Sequence, residues 1–166
     1  MNSNWSAGAR RLVVAAAACT VLSLVADAQT PPAGDESVAR ANQAIKTRKA
    51  VFTLIGANFG PIGAVLQGKA PFDGTEALKR AERVSFLAAL TPEVFPDISK
   101  NGDTKAKPEI WENRAAFDKH GQDLIEHANA LVTTLRKDKN NVDTFKTAAT
   151  ALAADCKGCH DDFKAK

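Results

Sequence analysis

Near one end of the chain, Cys156, Lys157, Gly158, Cys159 and His160 follow one another. Thiols three residues apart lie about one helical turn from each other. Each can form a thioether to one vinyl group of a porphyrin, and the adjoining imidazole can then reach a central iron. The C-x-x-C-H pattern therefore reads as the attachment site of one haem c, with His160 as the axial iron ligand. Other chemistries use such cysteines. A redox C-x-x-C belongs in a βαβ setting, and no strand-like segment surrounds this one. A zinc site needs four ligands, and there is no second Cys pair. A structural disulfide is the remaining alternative.

The N-terminus reads as an export signal. Arg10 and Arg11 form a basic region, Leu12 to Val25 is apolar, and Ala26-Asp27-Ala28 is an A-x-A cleavage site. Cleavage there assigns residues 1–28 to a signal peptide and leaves 29–166 as one domain, large enough for a sizeable core. A lipoprotein reading centred on Cys19 competes, but the apolar run continues past that residue. The run is short for a bilayer span, and no later segment is expected to supply one. Export suits thioether attachment, which occurs outside the cytoplasm in bacteria, and it predicts a periplasmic location. Losing Arg10, Arg11 and Asp27 changes the formal net charge from +3 to +2. Without a basic block or a basic amphipathic helix, neither nucleic acid nor a membrane surface is an expected partner of the mature chain.

The elements that must position the motif follow from breakers and periodicity. Pro31 and Pro32 mark a leader, Gly68 to Gly74 a first connection, Thr91 to Pro108 a long irregular stretch, and Lys137 to Asn141 a last connection. The pieces between them repeat apolar residues in steps of three and four. The first helix starts near Asp35 and runs to Leu66 despite Pro61. Its stripe is Val38, Ala41, Ile45, Arg48, Phe52, Ile55, Phe59, Ile62 and Leu66. The second begins at Asp73 or Thr75, with a capping box from Asp73 to Glu76, and carries Leu78, Ala81, Val84 and Ala88. The third, from about Pro108 to Leu135, carries Phe117, Gly121, Leu124, Ala128, Leu131 and Leu135. The fourth starts at Asn140 or Asn141 and aligns Phe145, Ala148, Leu152, Cys156, Cys159 and Phe163. With no period-two alternation, the fold class is all-α, an antiparallel four-helix bundle with covalently attached haem.

Two irregularities interrupt these stripes. Arg48 is a charge on an apolar face, costly unless paired. It can snorkel to a bundle edge, meet a carboxylate, or bind a haem propionate. Gly121 and Ala128 either make room for a porphyrin or allow close helix packing.

On these residues the sequence resembles the cytochrome c′ family of four-helix, class-II c-type cytochromes, over residues 38 to 166. The matching segments are Lys46-Thr47-Arg48 followed by Phe52, Gly68-Lys69-Ala70-Pro71-Phe72, Pro108-Glu109-Ile110-Trp111, and the terminal C-x-x-C-H followed by Phe163-Lys164. The resemblance implies a five-coordinate haem with the motif His on one face and an apolar residue crowding the other. It assigns Arg48 to a propionate, Lys49 and Asp103 to the haem edge, and Phe52 to the distal face, where relatives often have Leu or Met. Lys164 falls where relatives often carry a basic residue beside the proximal His. Homodimers through the first two helices are common in the family. Phe86, Leu87 and Leu90, expected to be exposed on the second helix, permit one here.

Low-spin members resembling cytochrome c-556 use a first-helix Met as sixth ligand. Met1 is the only methionine in this chain and leaves with the signal, so a His/Met haem is excluded by composition. His120, His127 and lysines remain as sixth-ligand candidates. The two histidines stand seven apart, flanking the apolar face of the third helix, and are expected to be solvated or at its edge. The favoured expectation is an exported protein that binds NO and CO at an open iron position and exchanges electrons with periplasmic redox partners. A six-coordinate electron carrier with a His or Lys ligand is the alternative. An enzyme is disfavoured, because no distal acid–base pair is identifiable near Phe52.

Overall fold

A computed structural model describes residues 33–166, which cluster as one compact unit. The segment read as an export signal lies outside the described residues. The helices are α1 (Ala33–Leu66), α2 (Gly74–Ala88), α3 (Glu109–Glu112), α4 (Arg114–Lys137) and α5 (Val142–Phe163). Short 3₁₀ turns at Thr91–Val94 and Asp97–Ser99 punctuate the long connection, which sequence reading treated as wholly irregular. Among the described residues there is no strand, only one isolated antiparallel bridge between Ala106 and Lys164. α1, α2, α4 and α5 make a four-helix bundle in which α4 packs on α2 and α5, and α1 on α2 and α5.

Helix boundaries have local causes. Asp73 caps α2 by accepting from the Thr75 and Glu76 amides at 2.9 and 3.1 Å. The expected capping box is only half made, because the Glu76 carboxylate pairs with Arg80 at 2.8 Å. Asn141 caps α5 by accepting from the Thr144 amide at 3.1 Å. α1 ends where Gly68 takes φ 68° and the Lys69 amide returns to the Ala64 carbonyl at 2.8 Å. A side chain at Gly74 would fall 1.6 Å from the Lys139 carbonyl oxygen, so glycine allows the last connection to cross the start of α2.

Pro61 sits inside α1 and has no N–H for the Ala57 carbonyl one turn back. Arg80 of α2 reaches that carbonyl at 3.4 Å, so the neighbouring helix substitutes a donor for the missing one. The same helix departs from expectation in two ways. Val38 was assigned to the interior stripe but is 58% exposed. An 18-residue window of Gly34–Leu66 has mean hydropathy 1.4, with only 17% of it buried. By length and composition α1 could therefore cross a bilayer, contrary to the expectation that no segment after the leader could. Its apolar residues serve two faces: Ile45, Val51, Ile55 and Ile62 are buried, whereas Leu54 lies 51% exposed on the outer side.

The third predicted helix is broken. Asn113, at φ −120° and ψ 58°, separates the single turn of α3 from α4. Beyond that break Phe117, Ala128, Leu131 and Leu135 are buried as expected, joined by Val132. The core closes on Phe145, Ala149 and Leu152 of α5 and Ala77, Ala81, Val84 and Ala88 of α2. On α2's other face Phe86 is 70% exposed, while Leu87 and Leu90, expected to be exposed, pack partly against the core.

Candidate haem site

Cys156 and Cys159 lie on the last turns of α5, both partly buried and neither in a disulfide. Cys159 packs against the core. Burial raises the pKa of the Cys156 thiol, with Asp155 adding to the effect. Burial, Cys156 and Asp162 push the Cys159 thiol up to about 11. A redox C-x-x-C requires the opposite, a thiol made acidic by its surroundings. Among the described residues no group of three or more His, Cys, Asp or Glu side chains is arranged to hold a metal ion, which argues against the zinc reading. His160 is exposed at the helix end, and partial burial of its ring, helped by Lys164, lowers its pKa. The neutral imidazole favoured by that shift is the form that ligates a metal.

The turn carrying these residues is fixed from outside the helix. Lys107 Nζ donates to the Asp161 and Asp162 carbonyls at 3.1 and 2.8 Å, satisfying acceptors left over at the end of α5. The Lys107 amide bonds the Phe163 carbonyl at 3.0 Å, and the Ala165 amide bonds the Lys105 carbonyl at 2.8 Å. From α4, His120 Nε2 meets Asp162 Oδ2 at 3.3 Å, and its ring lies edge-on to Phe163. Two helical turns further along, His127 Nδ1 meets Asp155 Oδ2 at 2.7 Å. Both histidines are thus partly buried edge residues paired with α5 carboxylates.

Arg48 is 4% exposed, so it does not snorkel. Its guanidinium donates to Ser99 Oγ at 2.9 Å and Thr104 Oγ1 at 2.8 Å, with longer contacts to the Val94 and Ser99 carbonyls at 3.5 Å. The guanidinium carbon lies 4.8 Å from the Phe95 ring centroid and 5.9 Å from that of Trp111. Among the described residues no carboxylate pairs with it, and burial lowers its pKa. Arg48 is therefore a desolvated cation held by neutral groups, and an anion is the partner it lacks. Next to it, Lys49 Nζ pairs with Asp103 at 2.7 Å on the surface, and that contact holds the Asp103 carboxyl below its ordinary pKa. Phe52, partly exposed on α1, meets Phe95 edge-on with centroids 5.9 Å apart.

These groups form one neighbourhood. Arg48 binds Thr104, and two residues on Ala106 bridges to Lys164, four beyond His160. The connecting segment therefore ties the α1 residues to the motif. Ser99, Thr104, Phe95 and Lys107 were missed by sequence reading because the segment has no periodicity to expose them. A side chain at Gly121 would meet nothing within 4 Å, so the α4 face leaves open space there. Two free thiols on one helix face, that open space and a buried cation with no carboxylate partner among the described residues fit a covalently attached group that carries negative charge.

The family model described as Cytochrome C′ matches residues 43–164. Cytochrome c′ from Rubrivivax gelatinosus is 38% identical over 124 residues, covering 74% of this chain and 95% of that protein. The solved structure of cytochrome c′ from Shewanella frigidimarina is 36% identical with a TM-score of 0.72, covering 76% of this chain and 97% of that one. Variants of cytochrome c′ from Alcaligenes xylosoxidans, 29% identical with TM-scores of 0.68 over 76% of this chain and 97% of theirs, have been solved as a nitric oxide complex and with carbon monoxide bound. The chain belongs to the cytochrome c′ family, a family of c-type haem proteins.

Proposed function

We propose that the protein is an exported, periplasmic haem protein that binds NO and CO at a five-coordinate iron and exchanges electrons with periplasmic redox partners. The observation that carries the open iron position is compositional: Met1 is the only methionine. The engagement of His120 with Asp162 and of His127 with Asp155 supports the same reading, since both histidines already have partners. Relatives solved with nitric oxide and carbon monoxide support these gases as ligands.

In this reading Cys156 and Cys159 hold one haem through two thioethers, and His160 offers its neutral imidazole to the iron. The bound haem supplies the centre that takes up a diatomic gas or an electron. Arg48 neutralises a propionate inside the bundle, and Lys49 and Asp103 border the haem edge. Phe52 occupies the distal side with an apolar ring that has no proton to donate. It favours weakly polar ligands, in keeping with a site that binds a gas. Leu54 and Phe86 on the outer faces of α1 and α2 supply apolar surface for a homodimer through those helices.

Denaturing mass spectrometry after expression with a haem-attachment system should give residues 29–166 plus one haem. Ferric and ferrous spectra should be high-spin, changing on addition of NO. A haem-free mass refutes attachment, and a low-spin ferric spectrum refutes the open iron position.

A further inference from the structure

Phe95 lies between α2 and α3 and is 6% exposed. Its backbone is held by two side chains, since its carbonyl accepts from Trp111 Nε1 and from Arg114 Nη1, each at 3.3 Å. Its ring is held as well, by Phe117 edge-on with centroids 4.7 Å apart and by the Arg48 guanidinium at 4.8 Å. Trp111 lies farther off, with centroids 6.4 Å apart, and Phe52, partly exposed at the margin of the core, meets the ring edge-on at 5.9 Å. One member of the edge pair is buried and tied through its carbonyl, and the other borders solvent.

We infer that Phe95 is a positioning residue for gas entry, the fixed wall against which the Phe52 ring is held across the distal side of the haem. The inference rests on the distal reading of Phe52 given above. A ligand that takes the volume of Phe52 must turn that ring, and the direction toward Phe95 is closed by a side chain fixed at both backbone and ring. A shorter or more flexible residue at 95 opens that direction and removes the edge contact. Because Arg48 lies over the same ring, Phe95 also joins the distal residue to the buried cation.

The test is stopped-flow CO association with ferrous, haem-loaded wild type, Phe52→Ala, Phe95→Leu and the double variant. Loss of one aromatic edge contact before the barrier corresponds to an acceleration of about twofold to tenfold. Phe95→Leu should give that factor when Phe52 is present and almost none in the Phe52→Ala background. Urea unfolding of the same four proteins gives a readout independent of gas, and the two midpoint shifts should be sub-additive because the residues touch. Should Phe95→Leu not accumulate as folded protein, Phe95→Met, close to Phe in volume but flexible, carries the same cycle. An equal acceleration in both backgrounds, no acceleration in either, or additive midpoint shifts overturns the inference. Two earlier outcomes are separately visible. A wild type that takes up no CO refutes the proposed function, and a Phe52→Ala rate equal to wild type refutes the distal role of Phe52.

Discussion

Replacing Arg48 by Met separates two roles of the buried cation by size of effect. As a purely structural tie, Arg48 makes two short hydrogen bonds, to Ser99 Oγ and Thr104 Oγ1. Neither hydroxyl is orphaned by its removal, since Ser99 Oγ still donates to the Pro96 carbonyl at 2.7 Å and Thr104 Oγ1 still accepts from the Ala106 amide at 3.0 Å. Each bond lost then costs at most about 1.5–3 kcal/mol, and relief from keeping an uncompensated guanidinium out of water offsets much of it. The structural role alone predicts a loss of about 2 kcal/mol or less. If Arg48 neutralises a propionate, the variant leaves that carboxylate desolvated and unpaired, at a cost of about 3–5 kcal/mol. Removing a positive charge near the iron also favours the ferric state, so the reduction potential falls, with each ~1.4 kcal/mol of charge interaction worth about 59 mV for a one-electron couple. Urea unfolding of the haem-loaded proteins and a redox titration read both quantities. A stability loss of about 2 kcal/mol or less together with an unchanged potential refutes the propionate role.

Three further outcomes follow from the same geometry. Lys107→Met removes two charge-assisted bonds to the end of α5 and should cost about 1–2 kcal/mol in urea unfolding, while Lys105→Met, whose side chain makes no such contact, should leave stability unchanged. Asp103 is held below its ordinary pKa by Lys49, so its contribution is present above the unfolded carboxylate pKa near 4 and is lost as pH falls through the lowered folded value. Asp103→Asn should therefore narrow the gap between urea midpoints at pH 7 and pH 3, and only at low salt, because the pair is exposed. In haem-free protein the Cys159 thiol, pushed up to about 11, should alkylate slowly with iodoacetamide at pH 7.5 and accelerate as pH rises toward that value. Rapid labelling at neutral pH would contradict the buried thiol.

Sequence periodicity located the four long helices because each buries a stripe in steps of three and four, and it narrowed the starts of α2 and α5 to Asp73 or Thr75 and to Asn140 or Asn141, of which Asp73 and Asn141 are the caps. It failed where tertiary contacts decide. The break at Asn113 is invisible to periodicity because Ile110 and Phe117 stay in phase across it. What it achieves is spatial, letting Trp111 on one side and Arg114 on the other converge on the Phe95 carbonyl. Val38 continues the α1 stripe, but a stripe cannot tell where the neighbouring helices stop. Arg48 was recognisable as an anomaly, yet its readings stayed open because Ser99 and Thr104 come from a connection without a repeat.

The two histidines differ, because their partners were legible and overlooked. His120 and His127 stand seven apart on α4, and Asp155 and Asp162 stand seven apart on α5. Seven residues bring a side chain back to the same face of a helix, and in an antiparallel pair one chain advances as its neighbour retreats. The earlier histidine must then meet the later aspartate, and the later histidine the earlier one, which are the pairs formed. Because Asp155 and Asp162 flank the Cys156–His160 motif on both sides, the two contacts register α4 against the turn that carries the thiols. Registry of that kind is cheap to encode, since only the spacing has to match. It also explains why the third helix carries histidines at the edge of its apolar stripe rather than within it.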